Sequence, residues 1–470
     1  MDPGLTSQAL HDAPLDSSNT IDDRHSISSS SNTDLSHLGT NHDPNAITST
    51  AIATDNNNNN NGADLEKRTT ALSSASLPES YPEGGLAAWL VVLGAWFSLF
   101  AAFGLLNTIA VFQTYTLENQ LSSYSEGTVG WVFSLYTFLT FFCGVYIGPV
   151  FDKYGPKWLV VAGTVCTLWH FVLVFGVLLG LGSSLIFTPC IAAVGHWFKR
   201  RRGLATGLAS TAGGIGGVVY PLMLSRLFDS IGYAWAVRVL ALICLVCCCV
   251  GILLVRSRLP PAVNASPHPD FKIFKQIPFL YLSLGIFLLE FSLFIPLAYI
   301  SSYALSEGFD SEFAFNLIPI LNASSVVGRA LPGWYADVIG PINVCIGSVI
   351  LSFVACFCVW LPSGHTTAGV VIFAILFGFS SGTSIAVAPV CVGQLCKTQE
   401  YGRYYATTYT LVSFACLIGI PIAGNIVEAQ NGRYSGLIIL TGGIYVFCTT
   451  FLLLAKTSRL GWKEGWKARY

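Results

Sequence analysis

The sequence predicts an all-α polytopic membrane protein built as two six-helix halves, twelve crossings in all, with both termini cytoplasmic. Three observations carry that prediction. The first is composition: of 470 residues, 53% are apolar and 10% charged, against about 25% charged in a soluble domain. The second is a succession of apolar runs of roughly 20 residues from Leu86 onward, each long enough to cross a bilayer as a helix. The third is a repeat. Gly148, Asp152, Gly155 and Pro156 form the pattern G-x3-D-x2-G-P, which returns 185 positions on at Gly333, Asp337, Gly340 and Pro341. So long a period is too large for a solenoid and fits two membrane halves with one internal layout.

Residues 1–80 are rich in Ser, Thr, Asp and Asn, with Asn56 to Asn61 a homopolymer. They cannot bury enough apolar surface to offset their ordering entropy, and they lack the apolar core of a signal peptide. A solvated cytoplasmic tail is expected, with a phosphorylated regulatory tail as the alternative. The first half (81–255) holds the runs Leu86–Gln113, Gly127–Ile147, Trp158–Val194, Gly203–Leu224 and Trp235–Val255. Residues 256–276, with Pro260, Pro261, Pro267 and Pro269, form a polar link. The second half (277–455) holds Ile277–Ser301, Ala314–Gly333, Ile342–Leu361, Ala368–Cys391, Tyr405–Val427 and Ser435–Ala455, before a basic tail at 456–470.

Lys and Arg set the orientation. With the N-terminal tail inside and Trp158–Val194 crossing twice, the inner segments hold nineteen basic residues, among them Lys199 to Arg202, Arg256 and Arg258. The outer segments hold Arg226, Arg238 and Arg433. Trp158–Val194 is short for two crossings: it has 37 residues, where two helices want about 40. The repeat points the same way. Gly182 to Pro189 matches Gly382 to Pro389, and Pro221 matches Pro421, now at an offset of 200. The first half is therefore about 15 residues shorter between Pro156 and Gly182. Either the third helix is short, or part of it has been lost through a splice or gene-model error.

Two six-helix halves joined by a cytoplasmic link, with G-x3-D-x2-G-P after helices 2 and 8, resemble the major facilitator superfamily. Further motifs resemble a fungal member of its monocarboxylate transporter family. These are Glu83-Gly84-Gly85 through Trp89 before helix 1, His196 to Ala205 after helix 4, and Asn322 to Arg329 in helix 8. The resemblance covers roughly residues 82–456. It implies a secondary transporter that works by alternating access, and a latch at the repeated loop that holds one access state closed. It also implies that Arg329 binds the carboxylate of the substrate. Two departures stand out. Asn107 falls where animal members carry a lysine, and Ser325 where they carry an acid. The proton-plus-lactate relay thus lacks two charged groups, which favours a larger organic anion or a neutral metabolite.

The residues allow independent readings. Gly148 and Gly155, with Gly333 and Gly340, permit close approach and tight turns. Asp152 and Asp337 can each accept hydrogen bonds from the N-terminus of a neighbouring helix; the alternative is a plain anchored turn. An arginine inside a membrane helix is costly unless paired or facing a cavity. The fork of Arg329 can take a carboxylate bidentately, or its side chain can reach interfacial water. Glu290, mid-run, suits a proton carrier, a partner for Arg329, or a neutral acid bonded locally. Asn107 and Asn322 are further substrate-binding candidates. Gly213, Gly214, Gly216 and Gly217 before Pro221 read as a hinge or as tight packing.

Fourteen cysteines lie almost entirely in apolar runs without acids or histidines at metal spacing, and read as soft core residues. His170 is expected to be structural. The sequons at Asn264 and Asn322 are expected to stay unmodified, one in the cytoplasm and one in a helix. No phosphate loop points to ATP drive. The expectations are therefore no enzyme activity, no cofactor and no metal. Partners are a small-molecule substrate, protons and the bilayer, not nucleic acid. The plasma membrane is the default location, with a vacuolar membrane as the alternative. A transporter-like nutrient sensor and an inactive product of the shortened third helix are the rival readings. Sequencing the transcript across the codons for Gly155 to Gly182 should reveal about 15 additional residues. A message matching this chain would instead assign the short crossing to the protein itself.

Overall fold

The computed structural model describes residues 81–108, 111–112, 115, 126–164, 177–258, 268–364 and 366–460. The tail at 1–80, His170, Asn264 and the basic end of the chain from 461 lie outside the described residues. Among those described there is no strand, and eleven helices are long and apolar enough to cross a membrane.

In chain order the helices are α1 (Leu86–Leu106), α2 (Glu126–Phe142), α3 (Gly144–Tyr154), α4 (Val177–Trp197), α5 (Arg202–Ile231) and α6 (Tyr233–Leu254). Then come α7 (Ile277–Ser306), α8 (Ser311–Ile339), α9 (Pro341–Val354), α10 (Thr367–Gly393), α11 (Tyr401–Ala429) and α12 (Ser435–Leu460). α2 and α3 share one crossing, Ser134–Tyr154. The expected third crossing begins as a helix at 157–164, where Gly163 packs against Leu185 and Ile186 of α4. Its continuation, 165–176, lies outside the described residues, within the stretch Pro156 to Gly182 to which the repeat assigns the shortening.

The repeat is visible in the packing. α1 lies against α4, α5 and α6; six helices on, α7 lies against α10, α11 and α12. α2 packs on α4 as α8 packs on α10. Two antiparallel pairs join the two groups of helices, α5 with α8 and α11 with α2 and α3. Leu242, Val246, Leu253 and Phe447 are exposed on the outer surface, as expected where hydrocarbon rather than water is the solvent.

Lys153, Lys157, Lys199 to Arg202, Arg256, Arg258, Lys397 and Arg403 lie at or near one set of helix ends, called the basic end below. α3 and α8 stop there at Gly155 (φ 78°) and Gly340 (φ 97°), in a region that a side chain would strain. The glycine run of α5 is a packing device. α5 continues without a break through Pro221. A methyl group on Gly216 would sit 2.5 Å from Gly104 Cα of α1, and one on Gly217 would sit 2.6 Å from Asn322 Cγ of α8. In this state the glycines serve close approach on two sides, as the packing reading expects. Gly216→Val should cost about 1–3 kcal/mol by overpacking, read as a lower melting temperature of the purified protein. Gly347→Ala, with nothing within 4 Å, should melt unchanged.

Candidate functional site

The repeated aspartates do the same thing twice. Asp152, 6% exposed, accepts hydrogen bonds from the backbone N–H of Gly402 (3.0 Å) and Arg403 (2.8 Å). Asp337 accepts from the N–H of Gly203 (2.7 Å) and Leu204 (2.9 Å). Those four amides open α11 and α5. The residues preceding these helices, Glu400 and Arg201, supply no side-chain cap of their own. A helix leaves its first N–H groups without internal partners, and a local Ser, Thr or Asp usually meets them. Here a carboxylate from the other group of helices does so, reinforced by the positive end of the helix dipole. Glycines make the approach possible: Gly148 packs on Gly402 and Ala406, and Gly333 on Gly203 and Gly207.

Other ties at this end were not singled out from sequence. Arg202 is buried and donates to the carbonyls of Phe198 (3.2 Å), Gly195 (2.9 Å) and Gly393 (3.0 Å), the last across the boundary. Its guanidinium lies over the Tyr401 ring. The carboxylate of Glu83 accepts from the N–H of Lys199, Arg200 and Arg201 at 2.7–3.1 Å. The hydroxyls of Tyr81 and Thr398 also bond across the boundary. A cleft of about 690 Å³ opens among these ties, lined by Lys199, Arg200, Arg202, Asp337, Lys397 and Thr398, among others. Arg202 reads in sequence as an inside charge within the loop motif after helix 4; its capacity for three carbonyls is a property of the folded turn around it.

Arg329 lies eight residues before Asp337 on α8, about 12 Å deeper by helix rise. It is 2% exposed, so its side chain does not reach the interface. Nη1 donates to Ser210 O of α5 at 2.6 Å, and the guanidinium carbon lies 5.9 Å from the centre of the Phe103 ring. Nε is buried without a hydrogen-bond partner. Glu290 of α7, also 2% exposed, acts electrostatically on Arg329, but no ion pair or hydrogen bond links the two. The two side chains are buried without a direct contact, which leaves Glu290 as a proton carrier or a neutral acid.

Asn107 and Asn322 are drawn to the same stretch of α5 but are largely committed there. Asn107 Nδ2 donates to Gly213 O (2.8 Å). Asn322 Nδ2 donates to Gly217 O (3.3 Å) and Ile318 O (3.1 Å). Each retains an amide oxygen, so their first role is to join helices. Ser325, four residues before Arg329, is buried and its hydroxyl has no partner.

Phe103, whose ring faces Arg329, begins a connected cluster of five aromatic rings. Phe103 stacks on Phe187 (4.8 Å), Phe141 meets Phe187 (5.7 Å) and Tyr409 (5.3 Å), and Tyr405 lies 4.4 Å from Tyr409. Glu290 acts electrostatically on both tyrosines. No group of three or more His, Cys, Asp or Glu suited to a metal occurs among the described residues.

The Major Facilitator Superfamily model matches residues 88–419 and 323–468. A riboflavin transporter of Saccharomyces cerevisiae is 34% identical over 421 residues, covering 82% of this chain and 81% of its own. The aspyridones efflux protein of Emericella nidulans is 34% identical over 387 residues, covering 78% of this chain and 79% of its own. Among solved structures, the human organic anion transporter MFSD10 superposes with a TM-score of 0.63 at 14% identity, covering 78% of this chain and 98% of its own. The fucose transporter FucP in its outward conformation gives 0.59 at 16%, over 78% and 98%. These two structures bear on fold alone. Repeat, trans-bonded aspartates and family match agree: the chain belongs to the Major Facilitator Superfamily, and it is an integral membrane transporter.

Proposed function

We propose that this chain is a secondary transporter of small organic anions, of the monocarboxylate kind or a fungal metabolite for export. It works by alternating access between an N-terminal half (81–255) and a C-terminal half (277–455). The observation that carries the reading is Arg329, a buried guanidinium at the junction of α5 and α8 with an unpartnered N–H. Such a group is costly inside a membrane unless it is paired or faces a cavity, and the one carbonyl it meets, Ser210 O, leaves its charge unbalanced. The substrates named for the two fungal relatives, riboflavin and aspyridones, support a small organic cargo.

In this reading the basic end is cytoplasmic, and the protein sits in the plasma membrane with both termini inside. Asp152 and Asp337 are the latch: both trans bonds are made here, so this is the state closed toward the cytoplasm. Glu290, buried and unpaired, carries the coupled proton. Asn107 and Asn322 bind substrate through their amide oxygens when the α5 glycine stretch shifts.

Flux of labelled organic acids into vesicles tests the anchor. Arg329→Gln should lower uptake by about 10- to 100-fold, the worth of one bond to a charged group; unchanged uptake would remove Arg329 from the site. Glu290→Gln should abolish accumulation driven by a pH gradient while sparing exchange of labelled for unlabelled substrate.

The latch has its own reporter. Cys396 lies in the loop after α10, where burial pushes its thiol up to about 12, opposed by the nearby Arg202 charge. Opening the basic end admits water, lowers that value toward an ordinary thiol, and raises the thiolate fraction at pH 8. Maleimide labelling of Cys396, followed by peptide mass spectrometry, should therefore quicken several-fold in Asp152→Ala/Asp337→Ala.

A further inference from the structure

The rings beside Arg329 carry an inference about the cargo, one that rests on the organic-anion reading above. Ring pairs straddle the boundary between the two groups of helices. Phe138 and Phe142 meet Phe414, which is exposed on the outer surface, and three pairs lie inside: Phe141–Tyr409 (5.3 Å), Phe187–Tyr405 (6.1 Å) and Phe187–Tyr409 (6.3 Å). Phe141 and Phe187 stand on α2 and α4, and Tyr405 and Tyr409 on α11. All four are buried. Rocking one group against the other separates these pairs and leaves a slot with aromatic faces on both walls.

Depth places the slot beside the charge. Tyr409 lies seven residues inward of Gly402, about 10 Å by helix rise, and Arg329 lies about 12 Å inward of Asp337. Both are measured from the trans-bonded ends of their helices, so rings and guanidinium share a level. Phe103 joins them, stacked on Phe187 and facing Arg329.

One polar atom at this level is left without a partner: Arg329 Nε is fully buried and makes no hydrogen bond. The Tyr405 hydroxyl is buried against the side chain of Tyr409. Aliphatic side chains would fill a membrane core without that cost. Rings are the better choice where a flat π-system must be held, because stacked and edge-on ring pairs gain beyond area burial. An arginine edge supplies a pair of parallel donors to a carboxylate.

We propose that the substrate is a planar aromatic acid. Its anionic group is held by Arg329, its ring system lies between Phe141 and Phe187 on one wall and Tyr405 and Tyr409 on the other, and the Tyr405 hydroxyl bonds a polar atom on the ring edge. An aliphatic acid of the same size gains the charge contact and forfeits the stacking.

The test uses the full chain, purified in lipid nanodiscs, with two acids of equal charge and similar size. Naphthalene-2-carboxylate is flat and aromatic; decahydronaphthalene-2-carboxylate is neither. Calorimetry should show the aromatic acid binding about tenfold more tightly, the gain of one or two ring contacts. Tyr409→Leu and Phe187→Leu should bring that ratio close to one, through a larger loss of affinity for the aromatic acid than for the saturated one. Tyr409→Phe, which keeps the ring, should retain the ratio, and melting curves identify any variant that has not folded. Equal binding of the two acids, both lost in Arg329→Gln, overturns the aromatic slot and leaves the anion reading standing. Binding that ignores Arg329→Gln, or no binding of either acid at millimolar concentration, overturns both.

Discussion

Two helices in this protein are capped from across the boundary. α5 and α11 begin without a side-chain cap from their own segments, and in each case the missing acceptor is an aspartate from the opposite group of helices. A carboxylate against two helix N–H groups combines hydrogen bonding with the helix dipole. The bond is therefore strong enough to organise what lies above it. Gly148 and Gly333 let the backbones close to the distance that the bond requires. From those two points the α5–α8 and α2–α11 pairs run inward as close-packed antiparallel seams. Arg329 and the aromatic rings lie along those seams at a common depth.

Much of this was legible in the sequence because periodicity and repetition are local properties. The apolar runs begin within four residues of the helices they delimit, while several C-terminal ends differ by five to seven residues, because a helix continues past the point where its apolar run stops or ends before it. The repeated G-x3-D-x2-G-P pattern singles out Asp152 and Asp337, and the chemistry of a carboxylate near a helix start anticipates what they bind. Arg329 was visible as the charge that an apolar run should not contain.

What escaped the sequence depends on the geometry of assembly. The reach of Arg202 to Gly393 spans 191 positions, and nothing near Arg202 hints at it. The α5 glycines allow hinge and packing equally until α1 and α8 are seen on either side. Asn107 and Asn322 carry the functional groups of ligands to a substrate, yet their amides are spent on the α5 backbone. The ring cluster is likewise invisible, since Phe103, Phe141, Phe187 and Tyr409 come from four helices and aromatic residues abound throughout the chain.

The borrowed caps also bear on why such a machine can turn over. An N–H group at a helix end can bond to water nearly as well as to a carboxylate once the end is wet. Parting the two groups at the basic end thus exchanges one set of hydrogen bonds for another, and the net difference stays small. Had the same ties been placed at the depth of Arg329, where no solvent could replace them, breaking them would cost several times more. Siting the strongest polar links at the rim keeps the two access states close to isoenergetic. A modest bias, such as an ion gradient or the binding of cargo, is then enough to decide which side the transporter faces.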